Sequence, residues 1–246
     1  MKNQAQWHPT KFVRTPRGLR ASRNPTDVAI GSRIIVDIVA TYYERAIRAH
    51  ATGRLLDMGC GHVPLYDTYR DLVSENICID WENTLHVNPY LDQTVDLNQQ
   101  LPFADASFDT ILLTDVLEHI AEPMNVMRET ERLLRPGGKL ILGVPFLYWL
   151  HEQPHDFYRY TEHALRRFCK LSGLKVIELE PYGGLPEVIL DLTSKGLEDV
   201  ARPVRLLLRP IHTFVSVLCG HLPGRKHWSR WVFPLGYVVT AQKPVD

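Results

Sequence analysis

The chain of 246 residues has only four cysteines and lacks a long uninterrupted apolar run. The cysteines lie far apart and form no C-x-x-C pair, which argues against a zinc knuckle and against a disulfide framework. No stretch approaches the roughly 20 apolar residues that a membrane-spanning helix needs, and the first residues lack the apolar segment of a secretory signal. These absences predict a cytoplasmic protein, and a hydrophobic content of 45% is typical of a globular one.

Acidic residues are missing from residues 1–26 and 200–245, although the net charge is zero. Residues 1–26 contain six bases and residues 200–245 contain seven, while the acids are concentrated between Asp27 and Asp199. Two interpretations stay open: basic arms that attract phosphate, anionic lipid or an acidic partner, and arms that fold over the acidic middle. Nucleic acid is not the expected partner, because the basic ends lack a recognition motif with interleaved aromatic residues.

The spacing of apolar residues predicts one α/β domain. Residues 1–24 are expected to form a basic, flexible arm, because they contain prolines and no sustained period. A helix is predicted from Thr26, a potential N-cap, to about His50. Residues 25–246 are then expected to form a single domain in which short strands alternate with helices. Strands are predicted at 54–57, 76–80, 94–96, 110–114, 139–144, 175–180 and 237–241, and helices at 122–134 and 161–172.

A helical insert is predicted at about residues 185–230, before the closing strand. Its segment Arg202–Cys219 combines basic and bulky apolar residues, and Pro210 interrupts it. We expect either a lid that packs on the domain or peripheral contact with a membrane surface, since both would bury such an apolar face.

The most informative segment runs from Leu55 to Tyr66, where an apolar strand ends at Asp57 and continues through Gly59 and Gly61. Glycine lets the backbone approach a ligand where a side chain would collide, so this turn suggests a nucleotide-like ligand. Packing alone can also require such a turn. The sequence lacks a Gly-x-Gly-x-x-Gly dinucleotide fingerprint and a Walker lysine, which disfavours hydride-transfer and phosphate-cradling enzymes.

Two further acids follow predicted strands. Asp80 comes 19 residues after Gly61, where a carboxylate can accept hydrogen bonds from both ribose hydroxyls of a nucleoside. Asp96 follows the third strand and can accept a hydrogen bond from an adenine amino group. Because ligands bind at the carboxyl edge of open parallel sheets, Asp57, Asp80 and Asp96 together predict one nucleoside site.

These residues resemble the class I S-adenosylmethionine-dependent methyltransferases, particularly the group with a Leu-Asp-x-Gly-Cys-Gly first motif. The resemblance spans about residues 53–182 and the final strand, and it rests on ordered motifs at 56–61, 80, 96–97, 101–109, 116–120 and 134–138. It implies a doubly wound, Rossmann-like sheet of seven strands, mostly parallel with the last strand antiparallel. It also implies S-adenosylmethionine as the cofactor.

The resemblance further implies which residues bind that cofactor. The first acid and the two glycines are assigned to its methionine part, the second acid to the ribose, and the third acid with the following leucine to the adenine. Where many members have a third glycine, this chain has Val63 followed by Pro64, which is expected to reshape the pocket wall. The expected cofactor-binding residues are Asp57, Gly59, Gly61, Asp80, Trp81, Asp96, Leu97 and Thr114.

Histidines and aromatic residues are frequent in segment 144–161, after the fifth strand. It resembles the His-Asp-aromatic-aromatic-Arg-aromatic-Thr segment of some methyltransferases of this group. A positioned imidazole suits proton removal near neutral pH, so the candidate bases are His151, His155 and His119, in that order, and each also has a structural interpretation. The His-Glu-x-x-His pattern at 151–155 is not expected to bind a metal, because Pro154 disrupts the helix that it needs.

The sequence therefore predicts an S-adenosylmethionine-dependent methyltransferase that methylates an oxygen atom of a small-molecule, glycan-like or lipid-linked acceptor. The alternative is a non-catalytic S-adenosylmethionine-binding sensor, whose lid reports binding to a partner.

Overall fold

The computed structural model describes residues 1–82, 88–196 and 228–245. It begins with an antiparallel hairpin of β1 (Phe12–Thr15) and β2 (Gly18–Ala21). The strands of a second, larger sheet are β3 (Gly53–Met58), β4 (Val73–Asp80), β5 (Gln93–Thr94), β6 (Phe108–Thr114), β7 (Leu134–Pro145), β8 (Lys175–Tyr182) and β9 (Gly236–Gln242). The helices are α1 (Arg33–His50), α2 (Tyr66–Tyr69), α3 (Pro123–Leu133), α4 (Glu162–Leu171), α5 (Leu185–Gly196) and α6 (Ser229–Val232).

The larger sheet has the strand order β5-β4-β3-β6-β7-β9-β8. The strands from β5 to β7 pair in parallel, and β9 runs antiparallel to its neighbours β7 and β8. The chain passes from β3 to β4 on one side and later reaches β6 on the other side, which makes the sheet doubly wound. The prediction of a Rossmann-like, seven-stranded sheet with an antiparallel last strand is confirmed.

Helices cover both faces of this sheet, as two hydrophobic clusters show. Leu55 packs in one cluster with Tyr43 of α1, and Leu56 packs in the other with Val126 of α3 and Leu165 of α4. Successive side chains of a strand point to opposite faces, so neighbouring leucines in β3 enter different cores. Both leucines are completely buried, as expected for a parallel strand in the middle of a sheet.

The N-terminal residues differ from the predicted flexible arm, because they form the packed hairpin. Phe12 and Leu19 are each 2% exposed and belong to the cluster around α1. Arg14 of this segment contacts two carboxylates, Glu44 at 3.1 Å and Asp67 at 3.2 Å. Burial of apolar side chains together with charge pairing therefore holds the segment on the acidic part of the chain.

Two element boundaries also differ from the predictions. Helix α1 begins at Arg33 instead of Thr26, because a turn at residues 22–28 is closed by hydrogen bonds from Asp27 N and Val28 N to the Asn24 carbonyl. Strand β5 ends at Thr94, before Asp96. By contrast, the predicted N-cap of α4 is confirmed, since the Thr161 hydroxyl accepts a hydrogen bond from Ala164 N at 3.2 Å.

The predicted insert starts in α5 and ends in α6. Its basic, apolar segment Arg202–Cys219, on which the expected membrane contact rests, lies outside the described residues. Among the helices that are described, none combines the length and apolar character needed to cross a membrane.

The packed hairpin can be tested with Leu19→Ala. Truncation of a buried leucine costs about 2–5 kcal/mol of stability, so we expect a loss in this range in urea denaturation followed by circular dichroism. Leu171→Ala is the matched control, because Leu171 is 52% exposed and should lose little. Equal stability of Leu19→Ala and wild type would contradict the docking of the hairpin.

Candidate cofactor and acceptor site

The parallel register brings the predicted acids to one edge of the sheet. Strand β3 lies between β4 and β6, and Asp57 pairs with Cys78 on one side and with Leu112 on the other. Asp80 and Thr114 are the last residues of those neighbouring strands. Because the connections leave β3 in opposite directions, the carboxyl end of this strand is where a ligand-binding crevice is expected in a doubly wound sheet.

The glycine turn after β3 is joined directly to Asp80. The Gly61 amide donates to Asp80 Oδ2 at 2.9 Å, and the Trp81 amide donates to Asp80 Oδ1 at 2.8 Å. Gly59 and Gly61 both have positive φ, +70° and +48°. They differ in their surroundings: a Cβ at Gly59 would lie 2.5 Å from Val116, whereas a Cβ at Gly61 would meet nothing within 4 Å. Gly59 is therefore required by packing, and Gly61 borders open space.

Asp57 is 4% exposed at the base of this crevice. The Tyr69 hydroxyl donates to Asp57 Oδ2 at 3.2 Å. Burial raises the pKa of Asp57 to about 7, and the nearby negative charge of Asp80 contributes to the rise. Asp57 is thus a carboxyl group whose ionised form would gain from a positive charge in the crevice.

The predicted adenine-binding residues lie beyond the end of β5. Asp96 is exposed, and its Oδ1 accepts hydrogen bonds from Asn98 N and Asn98 Nδ2, both at 2.9 Å. The hydrogen bond from the Asn98 backbone is the main reason that the pKa of Asp96 is lowered. Leu97 is buried, at 6% exposure. Asp96 is therefore part of a local turn instead of the end of a strand.

The loop after β7 is held in shape by Asp156. This carboxylate contacts Arg159 Nη1 at 2.6 Å and accepts a hydrogen bond from the His151 amide at 2.9 Å. The hydrogen bond from Arg159 keeps the pKa of Asp156 well below its usual range. The His151 ring also lies beside it, with Nδ1 3.3 Å from Asp156 Oδ2. Burial and the charge of His119 lower the pKa of His151.

The structure brings the three predicted histidines close together. The rings of His119 and His151 meet edge to face, with centroids 4.7 Å apart. His119 Nδ1 lies 2.9 Å from the carbonyl oxygen of His155, and it must donate there because a carbonyl only accepts. The ring of His155 packs on Trp81 with centroids 4.8 Å apart, so the loop reaches the residue next to Asp80.

Sequence reasoning missed Glu118, the neighbour of His119. Glu118 is 0% exposed, and within the described part of the chain neither carboxylate oxygen has a hydrogen-bond partner. Burial, aided by the negative charge of Asp115, raises the pKa of Glu118 well above its ordinary value. The available signal was an acid that follows Val116 and Leu117 and is separated from Ile120 only by His119.

Sequence reasoning also missed the contacts of Asp115. Lys11 Nζ lies 3.0 Å from Asp115 Oδ2, and the Tyr43 hydroxyl donates to Asp115 Oδ1 at 2.7 Å. Asp115 has a positive φ of 56°, which is uncommon for a residue other than glycine. These contacts from the N-terminal segment and α1 hold the loop after β6 beside the crevice.

Comparison with known proteins agrees with this geometry. Residues 56–142 match a family model described as a methyltransferase domain. These residues include the end of β3, all of β4, β5 and β6 and most of β7, and hence the carboxyl end of β3.

Over residues 56–142 this chain is similar to methyltransferase domains.

Two curated proteins share sequence with this domain. A 27-O-demethylrifamycin SV methyltransferase of Amycolatopsis mediterranei is 33% identical over 105 residues, which are 38% of this chain and 39% of that protein. A ubiquinone biosynthesis O-methyltransferase of Parvibaculum lavamentivorans is 27% identical over 161 residues, or 55% of this chain and 64% of that protein. The chain thus covers less than two thirds of the length of either relative.

A solved structure shares the fold of the methyltransferase domain. The crystal structure of an S-adenosylmethionine-dependent methyltransferase from Archaeoglobus fulgidus has a TM-score of 0.53 and 16% identity, over 82% of this chain and 94% of that one. The resemblance to class I methyltransferases is therefore confirmed for the fold.

The different surroundings of the two glycines predict different costs of substitution. Gly61→Ala adds strain from its positive φ, about 1 kcal/mol, whereas Gly59→Ala adds the collision with Val116 as well. We expect Gly59→Ala to be the less stable variant by at least about 1 kcal/mol, measured by urea denaturation of both proteins. Equal stability would contradict the close contact at Gly59.

Proposed function

We propose that the protein is an S-adenosylmethionine-dependent O-methyltransferase whose acceptor is a small hydroxylated molecule. The observation that carries this proposal is the crevice at the end of β3, where Asp57 and Asp80 flank a glycine turn with open space at Gly61. These residues suit the ribose and the methionine part of the cofactor in charge and shape.

Asp80 fits the ribose. An ionised carboxylate has about four lone-pair directions, and the amides of Gly61 and Trp81 use one on each oxygen. Each oxygen can therefore accept a further hydrogen bond, as the two neighbouring hydroxyls of a ribose require. Asp57 fits the ammonium group of the methionine part, because a cation would restore the ionised form that burial disfavours. Gly61 provides the close backbone approach.

S-adenosylmethionine, when bound, supplies a methyl group that is already activated on a sulfonium. What remains for the protein is to align the acceptor, exclude water and take up a proton. Transfer to a hydroxyl forms a carbon–oxygen bond and breaks the carbon–sulfur bond. One proton is released from the acceptor, and a nearby imidazole can accept it.

We assign this base to His155. Its ring packs on Trp81, whose amide binds Asp80, so it borders the proposed ribose site. The other two candidates each use one ring nitrogen to hold the loop after β7 in place. His119 Nδ1 donates to the His155 carbonyl, and His151 Nδ1 faces Asp156. His119 and His151 are therefore assigned to shaping the acceptor side.

An aromatic acceptor suits the loop after β7. Trp149, Phe157 and Tyr158 are 46%, 45% and 40% exposed, so their rings are available for stacking. The names of the two curated relatives support oxygen as the methylated atom, since one is an O-methyltransferase and the other acts on an O-demethyl compound. These observations favour a phenol or a related hydroxylated ring.

Asp80→Asn tests the cofactor site. Loss of the charged acceptor should weaken binding of S-adenosylmethionine by about 5- to 150-fold, the equivalent of 1–3 kcal/mol, as measured by isothermal titration calorimetry. Glu75→Gln is the matched control, because Glu75 is exposed at the opposite end of β4. An Asp80→Asn protein that binds as tightly as the control would refute the assignment.

His155→Gln tests the base. We expect kcat for transfer of labelled methyl groups to a panel of small phenols and alcohols to fall by about 10²- to 10⁴-fold, with the Kd for S-adenosylmethionine unchanged. His163→Gln, at an exposed position of α4, is the control and should keep wild-type activity. Full activity of His155→Gln would remove His155 as the base. Tight cofactor binding without transfer to any acceptor would instead favour the sensor alternative.

A further inference from the structure

The turn after β6 and the loop after β7 bring together three metal-ligating side chains. Glu118 and His119 lie on the 3-10 turn Leu117–His119, and His151 comes from the loop. One ligand atom from each residue can be chosen so that all three lie within 4.8 Å of one another. Ligands around a tetrahedral ion at 2.0–2.2 Å are separated by about 3.4 Å. Side-chain rotations that shift these atoms by about 1 Å therefore suffice to surround one cation.

Burial of Glu118 is a second, independent indication. The side chain is completely inaccessible, and in the part of the chain that the structure covers its two oxygens accept no hydrogen bond. The nearest imidazole nitrogen, His119 Nε2, lies 3.9 Å from Glu118 Oε1, beyond hydrogen-bond distance. A buried carboxyl without a partner is costly, and a cation bound by the two neighbouring histidines would provide the partner.

The histidines are oriented for such a role. His119 Nδ1 donates to the His155 carbonyl, which leaves the lone pair on Nε2, next to Glu118. His151 Nδ1 faces Asp156 and the carbonyl of Trp149, each at 3.3 Å. Metal-binding histidines commonly donate their second nitrogen to a carbonyl or a carboxylate in this way.

Charges around the cluster are compatible with a cation. Lys11 is paired with Asp115 at 3.0 Å, and Arg159 is paired with Asp156 at 2.6 Å, so both nearby bases are neutralised. Glu152 offers a fourth ligand, since its Oε2 lies 3.9 Å from His119 Nε2 and its side chain is 63% exposed. Two imidazoles with one or two carboxylates suit Zn²⁺ or Mn²⁺ better than Mg²⁺ or Ca²⁺, which prefer oxygen ligands.

We propose that Glu118, His119 and His151 bind a divalent transition-metal cation, Zn²⁺ or Mn²⁺, beside the acceptor. This site differs from the His-Glu-x-x-His pattern of the sequence, because it uses His151 but not His155. The role of this cation rests on the proposed function. The cation holds the hydroxyl oxygen of the acceptor and lowers the pKa of that hydroxyl, which eases proton transfer to His155.

Metal binding can be measured without cofactor or acceptor. The full chain without an affinity tag is treated with a chelator, dialysed, and titrated with Zn²⁺ and separately with Mn²⁺ by isothermal titration calorimetry. We expect one equivalent of at least one of the two cations to bind. Glu118→Gln and His151→Gln should each weaken that binding at least 10-fold, while His163→Gln should leave it unchanged.

Thermal unfolding separates a ligand from a structural residue. Glutamine keeps the shape of Glu118, so metal-free Glu118→Gln should unfold near the wild-type Tm, but the rise in Tm that the cation causes in wild type should be lost. No binding of either cation by wild type, or equal binding by wild type, Glu118→Gln and His151→Gln, would overturn the metal site.

The metal site and the proposed function can fail separately. Binding of S-adenosylmethionine and methyl transfer by a protein that binds neither cation would reject only the metal site. Cation binding that Glu118→Gln weakens, in a protein that does not bind S-adenosylmethionine, would support the metal site and reject the proposed function.

Discussion

The parallel pairing of β3 with β4 and β6 decides where every other part of the candidate site lies. In this register Asp57 pairs with Cys78 and Leu112, so the three strands end side by side. The chain then turns away from β3 in opposite directions, and the turn at Gly61 can reach Asp80 through a single hydrogen bond of 2.9 Å. A shift of either pairing by one residue would move the acids to the other face of the sheet. Both the proposed cofactor site and the acceptor loop above it depend on this register.

Four acids near the crevice, Asp57, Asp115, Glu118 and Asp156, differ in whether a lysine or arginine of the chain pairs with them. Burial alone would raise the pKa of Asp115, but Lys11 lowers it, and Arg159 lowers the pKa of Asp156. In the described ranges Asp57 and Glu118 have no lysine or arginine within ion-pair distance, and burial raises the pKa of each. Burial of an acid without a cation is destabilising unless a ligand compensates. The paired acids therefore shape the loops, and the two unpaired acids mark the positions at which we propose that ligands bind.

The N-terminal segment has a structural role in this arrangement that its basic composition concealed. Its apolar residues pack on α1, and Lys11 reaches the loop after β6 at Asp115. Tyr43 of α1 contacts the same carboxylate and also packs so closely on β7 that a Cβ at Gly143 would lie 2.1 Å from its hydroxyl oxygen. One loop beside the crevice is thus held from two directions, by a charge pair and by an aromatic side chain. The basic residues near the start of the chain act here as internal partners of its acids.

The sequence by itself determined the order of the strands of the larger sheet along the chain, the glycine turn after Asp57 and the similarity of residues 56–142 to methyltransferase domains. These features follow from local patterns: apolar runs, glycine positions, and acids that follow strands. Only the tertiary structure decided that residues 12–21 pack as a hairpin, that β5 ends before Asp96, and that Glu118 is buried close to His119 and His151. The reason is physical, because a side chain's burial and its charged partners depend on residues far away in the chain, such as Lys11 and Asp115, which no local pattern connects. The three candidate histidines illustrate this difference. They were visible in the sequence, but only the structure shows that Asp156 holds His151 and that the carbonyl of His155 orients His119.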